Sequence, residues 1–569
     1  MKIGDRTRGL FETLASGQGP YLSIAVLSIV LTVPFLAIGF HTGADLPQHV
    51  QFADTYSTSI ASGDLLPGWG ADENLGYGSL GVRFYPPLTG FLTGLAHVVT
   101  GNWLVSFAAV ILMFTFAGGI GVFLLAGEFM GRKEALAAGL FFVVSPHHVS
   151  EIFTTFFYAQ YAGAAILSFA LLFTARVCRN KRLSDAAMLA AAYGLLILTH
   201  LPLAIIASLS LPVFALFLLE RDHFRGTLAR LAAAAAAGLA AASFYWIKLV
   251  YEIGLLRHTK FWKDEIFHFR HSFLLVPPGD VVFGLWYNNL ILLTLAAFAG
   301  CAVYAVRKAG TEHARKRLKT PIALFLFAAF MTTPLSYPLW AFVPYLKEIQ
   351  FPWRWLAVVN VAASLITGAG LLAFAGVIRS RVSWRNPAVW GAVAALVLAG
   401  AFLNKVVSRY SKEHIPANSF HAWAEQRSGA MGFEYFWTAG ANPDAFSVSK
   451  RVTASGRGVK LEKWEPEERV FRVSEGAPTN ARIATLFYPH WKAEIDGRPA
   501  LLEESTEGVI LLPLPAGDAR IRIRFEEPLY IRAAEWTSAI VWFLLIVTAA
   551  ASFLWPSGRD RPSALSTGP

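Results

Sequence analysis

Long stretches with few or no charged residues recur along this chain, and each is long enough to cross a bilayer. They include Tyr21–Phe40, Trp103–Gly127, Leu231–Tyr251, Leu290–Val306, Pro321–Tyr345, Trp355–Val377, Ala388–Leu403 and Trp536–Trp555. A run of about 18 apolar residues suffices for a transmembrane helix. Charged residues make up 15% of the 569, against roughly 25% in a soluble domain, which argues against a water-soluble enzyme. Tyr21–Phe40 follows the basic residues Lys2, Arg6 and Arg8 but is too long for a signal-peptide core and lacks a small-x-small cleavage site, so it reads as an uncleaved first span. Cys178 and Cys301 lie in or beside apolar runs and form no disulfide framework or thiolate metal cage.

Two further stretches are too long for one span. Ala186–Leu219 is uncharged, and as a single helix it would run about 51 Å at 1.5 Å per residue, well beyond a hydrocarbon core of about 30 Å. Basic clusters flank both ends: Arg176, Arg179, Lys181 and Arg182 before, Arg221 and Arg225 after. Cytoplasmic loops collect Lys and Arg, so the stretch is expected to fold as a hairpin of two short helices with His200 and Pro202 at its outer tip. Ala135–Ala175 reads the same way, with its tip at Ser145–Glu151. Arg307–Lys319 and Arg379–Arg385 mark further inside loops, whereas residues 41–102 carry a single basic residue, Arg83, and are expected outside. The net charge of +11 is therefore mainly an orientation signal and does not point to nucleic acid. About twelve spans with the N-terminus inside result, Pro86–Thr100 being a short helix along the outer surface. No heptads or short-period repeats stand out.

Between Leu403 and Trp536 the pattern changes to short alternating segments: Val459–Lys463, Val470–Val473, Arg482–Leu486, Trp491–Glu494, Val509–Leu512 and Ile521–Phe525. Asp496-Gly497 and Ala516-Gly517 supply turns. The expected architecture is an all-α polytopic membrane protein with a small extracytoplasmic β-rich domain before the last helix. Its parts are a transmembrane domain over 1–403, with its first external loop at 41–102, the β-rich domain over 404–534, and a final helix and cytoplasmic tail over 535–569. The β-rich domain reads first as a structural cap with no chemistry of its own.

Chemistry in such a chain must sit where helix ends and loops meet water. Asp45 lies just beyond the first span, where a partly desolvated carboxylate suits a general base; His49 shares its face if the segment is helical. A solvated loop Asp and a capping His remain the competing reading. His147, His148 and Glu151 put two imidazoles and a carboxylate at the second tip, without the spacing of the HExxH zinc signature. His200 marks the third tip; satisfied helix-end groups explain both tips as readily as catalysis. Arg257, Lys260 and Lys263, continuing to Arg270-His271, and Lys347 with Arg354 oppose the positive-inside bias. Cations beside aromatics at the outer boundary suit a lipid-linked phosphate, or an ordinary anionic headgroup.

In order, the chain carries GADLPQHVQFAD after the first span, GVRFYPPL with Tyr85, SPHHVSEIF, LLILTHLP, EIQFPWRW with Gln350, and LFYPHWKAEIDGRPA before the last span. It resembles the bacterial membrane proteins known as 6-pyruvoyl-tetrahydropterin-synthase-related and the neighbouring YfhO-like proteins, both similar to the GT-C superfamily of integral-membrane glycosyltransferases. No soluble pterin-enzyme domain is visible. The resemblance implies transfer of a sugar from a polyprenyl-phosphate donor to a glycan or glycolipid acceptor, at the outer face of a bacterial cytoplasmic membrane. It implies Asp45 as base with His49 as companion, and Arg354 on the donor phosphate; Arg257, Lys260 and Lys263 are expected at the same phosphate from their outer placement. His147, His148, Glu151, His200, Tyr85 and Gln350 would line the site. Some GT-C enzymes use a divalent metal, but no DxD cluster is present, so no metal site is assigned. At Glu434-Tyr435 the expected nearby Pro is missing and nothing is carried over. Two other classes compete: a transporter or flippase of lipid-linked saccharides, and a non-catalytic envelope-assembly protein. The first predicts charges or broken helices at mid-membrane; the second predicts tolerance of substitution at Asp45, His49 and Arg354 together.

Overall fold

Apolar length becomes helix here because a chain in hydrocarbon must satisfy every backbone polar group internally. The computed structural model describes residues 14–180, 182–220, 223–257, 267–276, 285–309, 318–380 and 387–554; Lys260 and Lys263 lie outside them. Among the described residues eight helices are long and apolar enough to span a membrane, or ten if each of two bent pairs is one span.

The first is α1 (Gly19–Ile38), followed by a short strand β1 (Gly39–His41), the loop helix α2 (Leu46–Ala61), α3 (Pro87–Thr100) and α4 (Trp103–Gly127). The helices α5 (Arg132–Val144), α6 (Pro146–Phe153) and α7 (Tyr158–Asn180) come next. Two shorter apolar helices, α8 (Leu183–Thr199) and α9 (Leu201–Leu216), break at His200, whose Nδ1 accepts from the Leu203 N–H at 3.2 Å. That is the expected break, with Pro202 in the first turn where its missing N–H costs nothing. The other expected tip differs. Ser145 and Pro146 cap and start α6, so HHVSE is helical and the chain turns after it, at Thr154–Phe157. The helices α10 (Phe224–Ala241) and α11 (Ser243–Glu252) form one bent pair, with α12 (Leu285–Ala309) after it. The second bent pair is α13 (Lys319–Met331) and α14 (Tyr337–Phe342), followed by α15 (Leu356–Ser380) and α16 (Pro387–Lys412).

Helix α7 is the centre of the bundle, with 89% of its membrane window buried, whereas α16 and the last helix α18 (Leu529–Leu554) bury 17% and 11% and turn apolar surface outward. Gly368 and Gly370 let α15 sit closely between two neighbours. A Cβ at Gly368 would lie 2.6 Å from the Glu134 carbonyl oxygen, and one at Gly370 would lie 2.4 Å from the Ala302 Cα, the small-residue packing common in membranes.

Past α16, β2 (His414–Pro416) pairs antiparallel with β1, Phe40 opposite Ile415, and α17 (Ala417–Ser428) packs against α2. The outer domain holds β3 (Val452–Ala454), β4 (Val459–Glu465), β5 (Glu468–Val473), β6 (Thr479–Leu486), β7 (Trp491–Ile495), β8 (Arg498–Ala500), β9 (Glu503–Glu504), β10 (Val509–Leu514) and β11 (Ala519–Phe525). Each strand expected from the alternation is present, and Asp496-Gly497 turns β7 into β8 with both residues at positive φ. Two antiparallel sheets, ordered β3-β6-β10-β9 and β4-β5-β11-β7-β8, share one apolar core. Trp69, Tyr77, Leu80 and Phe84 of the first loop enter that core. Beside them Arg83, fully buried, donates to Glu252 at 2.5 and 3.0 Å and to Glu527 at 2.6 and 2.8 Å. The Tyr488 and Tyr530 hydroxyls also donate to Glu252, each at 2.6 Å. One guanidinium thus ties the first loop, α11 and the segment leading into α18.

Candidate active site

Asp45 stands at the N-terminal end of α2, yet its carboxylate makes no capping hydrogen bond. The helix starts instead on Pro47 in its first turn, leaving the acid free of the local role that a residue in this position usually takes. The loop beneath it is pinned from three sides. The Gly43 N–H donates to His41 Nδ1 at 2.8 Å, the Ala44 N–H to the Thr155 carbonyl at 2.9 Å, and the Thr42 N–H to the Glu413 carbonyl at 2.9 Å. Gly43 is left-handed at φ 52°, and a Cβ there would meet the Phe156 Cβ at 2.5 Å. Burial pushes the Asp45 carboxyl up to about 6, with the Arg354 charge pulling it back down. Asp45 as a residue is only partly buried.

Arg354 arrives from the opposite end of the transmembrane domain, on the turn Pro352–Trp355 that opens α15. Its Nη1 donates to the Ile349 carbonyl at 2.7 Å and approaches Gln350 Oε1 at 3.4 Å. The guanidinium lies over Phe351 at 4.9 Å and Trp353 at 5.9 Å. Its Nε is buried with no partner, a donor that the protein itself leaves unsatisfied. Gln350 holds a left-handed backbone at φ 66°; strain of this kind persists where surrounding structure enforces it, and it clusters at ligand clamps.

Asp45, Glu151, His200 and Tyr85 all lie within electrostatic reach of Arg354. Glu151 sits on α6 with His147, whose Nε2 is 3.5 Å from Glu151 Oε1. His148, on the same short helix, stacks on Tyr161 at 4.3 Å and leaves both ring nitrogens unpartnered. His49 is packed among rings, 5.2 Å from Tyr158 and 5.5 Å from Tyr85. Burial pushes its imidazole down to about 3, so the ring is neutral.

Residues at the start of α2, on α6 and at the α8–α9 break therefore all feel the charge of the guanidinium at the start of α15. Arg257 does not join them: its Nη1 donates to the Ala441 carbonyl at 2.5 Å and its guanidinium lies over Trp437 at 5.2 Å. Among the described residues no three His, Cys, Asp or Glu side chains converge as a metal ligand set. Two polar residues near this cluster were not singled out from sequence. Gln160, buried on α7, leaves its amide Nε2 unpartnered, and Asn360, fully buried on α15, has neither amide atom partnered. The signal available for both is an amide side chain inside an apolar run, an expensive placement that tends to be functional.

A family model described as the 6-pyruvoyl-tetrahydropterin synthase related domain, a membrane protein, matches residues 82–404. Tyr85, the α6 cluster, His200 and Arg354 fall inside the match; Asp45 and His49 precede it. No curated protein matches the chain. Among solved structures, the arabinofuranosyltransferase AftD from Mycobacteria is 18% identical with a TM-score of 0.44, the match covering 69% of this chain and 27% of that one. This chain thus spans about a quarter of that protein's length. ArnT from Cupriavidus metallidurans bound to undecaprenyl phosphate is 14% identical at a TM-score of 0.41, covering 73% of this chain and 76% of that one. The oligosaccharyltransferase of Archaeoglobus fulgidus is 13% identical at 0.41, covering 72% and 56%.

Proposed function

The chain belongs to the 6-pyruvoyl-tetrahydropterin-synthase-related family of membrane proteins, and on that premise we propose that it is a GT-C-type glycosyltransferase. It moves a sugar from a polyprenyl-phosphate donor to a glycan or glycolipid acceptor at the outer face of a bacterial cytoplasmic membrane. The observation that carries this reading is the charge coupling of Asp45, at the start of α2, with Arg354, at the start of α15, a candidate base and a candidate phosphate-binding cation.

Asp45 removes the proton of the acceptor hydroxyl as that oxygen attacks the anomeric carbon. The bond from that carbon to the phosphate oxygen breaks, its electron pair leaves with the polyprenyl phosphate, and the configuration inverts. Arg354 stabilises the departing anion through the unpartnered Nε edge of its fork. Gln350 and the Ile349 carbonyl hold the other edge in place, so little reorganisation accompanies the charge transfer. The proton passes from Asp45 to water. Glu151 and His200 complete the wall, and Tyr85 and His49 supply a rigid aromatic floor. Lys260 and Lys263 belong to the same reading as further contacts to the donor phosphate. A flippase would need its polar groups along a path through the membrane; two spans are bent, by 72° and 84°, but Asp45, His200 and Arg354 sit at helix ends.

The test compares envelope glycans by mass spectrometry in a deletion strain complemented with wild type or with Asp45→Asn. Loss of one glycan feature in the deletion strain, restored by wild type and not by a normally inserted Asp45→Asn protein, is expected. Full restoration by Asp45→Asn overturns the assignment.

A further inference from the structure

A cavity of about 450 Å³ lies between the first external loop and the β-rich domain, and none of the Asp45 cluster lines it. Thr58, Asp72 and Leu75 approach it from the loop side, and Ser449, Arg451 and Trp464 from the β-rich domain. The size is that of a small-ligand site, and such sites favour the junction of two structural units.

Its polar groups fall into two kinds. The Tyr77 hydroxyl, which also lines the cavity, donates to the Val448 carbonyl at 2.5 Å and Ser447 Oγ to Asp444 O at 2.8 Å; these serve the fold. Among the described residues the Asp72 carboxylate and the Thr58 and Ser449 hydroxyls take no side-chain hydrogen bond, and the Arg451 guanidinium makes only a stacking contact, over Trp464 at 5.3 Å. An acceptor-only carboxylate, a donor-only guanidinium and two hydroxyls are complementary to adjacent hydroxyls of a sugar ring, each of which both donates and accepts. Asp72 and Arg451 balance in charge, and Glu465, which also lines the cavity, is paired with Lys463 at 2.7 Å, which favours a neutral ligand over a phosphate or a cation. Behind the wall, Arg469 is 1% exposed, lies 4.5 Å from the Trp464 ring, and has unpartnered Nε and Nη2 atoms.

The rim carries strain. Asn74 and Leu75 are consecutive left-handed residues at φ 55° and 59°, a conformation that costs a non-glycine residue energy. It is enforced by a set of hydrogen bonds. The Asn74 and Leu75 N–H groups donate to Ala430 O at 3.1 Å and Gly429 O at 3.0 Å. Asn74 Oδ1 accepts from the Gly432 N–H at 2.9 Å and from Trp437 Nε1 at 3.0 Å. The product of this strain is an apolar side chain held in water at the cavity edge, Leu75 being 61% exposed. A sugar ring offers apolar C–H faces to such a contact.

We propose that this cavity binds a saccharide unit of an extended, neutral glycan acceptor. The proposal rests on the glycosyltransferase reading and deepens it. Helix α2 is the spacer: Asp45 is at its start and Thr58 in its last turn, about 20 Å apart at 1.5 Å per residue. A glycan anchored at Asp72 and Arg451 would reach Asp45 several units along its length, so the enzyme would favour acceptors longer than one or two sugars.

Saturation-transfer NMR on the full-length protein in nanodiscs tests this, with neutral oligosaccharides graded by length and released from the envelope of the producing strain as probes. Wild type and Asp45→Asn are expected to bind the longer oligosaccharides alike. Asp72→Asn combined with Arg451→Ala is expected to bind roughly tenfold more weakly, as fits the loss of one or two polar contacts. Leu75→Ser, at an exposed position, is a second variant that leaves the polar groups in place and is also expected to weaken binding. Binding undiminished in both variants, binding only of anionic fragments, or no binding by wild type each overturns the proposal. Loss of binding in Asp45→Asn alone also overturns it, since it would place the sugar at the Asp45 cluster. An Asp45→Asn protein that still restores the envelope glycan counts against the catalytic reading and leaves this binding result standing.

Discussion

Arg354 acts on the carboxyl of Asp45 across nearly the whole length of the transmembrane domain in sequence, offsetting part of the desolvation that otherwise lifts it. With that carboxyl at about 6, transfer that depends on its ionised form rises with pH through a limb centred near 6 and levels off above it. A profile of initial rate against pH checks this. In Arg354→Gln the cation is gone, so the limb moves to higher pH.

The same shift bears on stability. The folded carboxyl binds its proton more tightly than the unfolded one, whose ordinary value is 3.8. The folded state therefore gains stability from Asp45 below the unfolded value and loses that gain as pH rises through about 6. Asp45→Asn, which has no charge to desolvate, is expected to melt above wild type at pH 7 to 8 and to approach it near pH 4. Thermal unfolding in detergent at several pH values measures the difference.

Arg354→Lys keeps the charge and loses the fork. Because the Ile349 carbonyl holds one edge of the guanidinium and the other meets phosphate in the proposed reaction, the substitution is not conservative. A loss of one to two orders of magnitude in transfer is expected, from the roughly 1.5–3 kcal/mol carried by a charged hydrogen bond. A donor-concentration series separates weaker binding from slower chemistry.

Gly43→Ala is expected to lower activity without touching any proposed catalytic group. The added Cβ meets the Phe156 Cβ at 2.5 Å and the Thr155 carbonyl oxygen at 2.8 Å, at a left-handed φ, so the loop carrying Asp45 must shift. Gly63→Ala is the control. That residue is also left-handed, but a Cβ there meets nothing within 4 Å, and activity should survive.

Arg83→Met leaves Glu252 and Glu527 without their main partner in a buried setting. Removing one member of a buried charged network typically costs about 3–5 kcal/mol. The expected result is a marked fall in thermal stability, and proteolysis of the outer domain in intact spheroplasts would show whether it loosens from the bundle. The folded carboxyl of Glu527 is held well below its ordinary range. Burial opposes this, but His490, Arg83 and Lys248 outweigh it. Its stabilising contribution therefore persists at neutral pH and disappears only in strong acid.

The amino-acid sequence by itself determined most of the spans, the break at His200 and the strands of the outer domain, but not the bends of 72° and 84° that break the expected spans Leu231–Tyr251 and Pro321–Tyr345. The former follow from local chemistry: apolar length partitions into lipid, Pro202 starts a helix, and alternation with Asp496-Gly497 makes a hairpin. It also held the FPWR and GADLPQH segments in plain view. Tertiary structure alone decided which of the candidate residues meet. Arg257 and Arg354 look alike in sequence, both basic residues of outer aromatic-containing segments, yet one donates to the Ala441 carbonyl and the other lies within electrostatic reach of Asp45. The first loop reads as a surface excursion, yet Trp69 and Tyr77 complete the core of a domain formed hundreds of residues later. Local patterns register the solvent preference of each segment, whereas such meetings depend on how helices pack around α7, a matter of long-range complementarity that no short window of residues records.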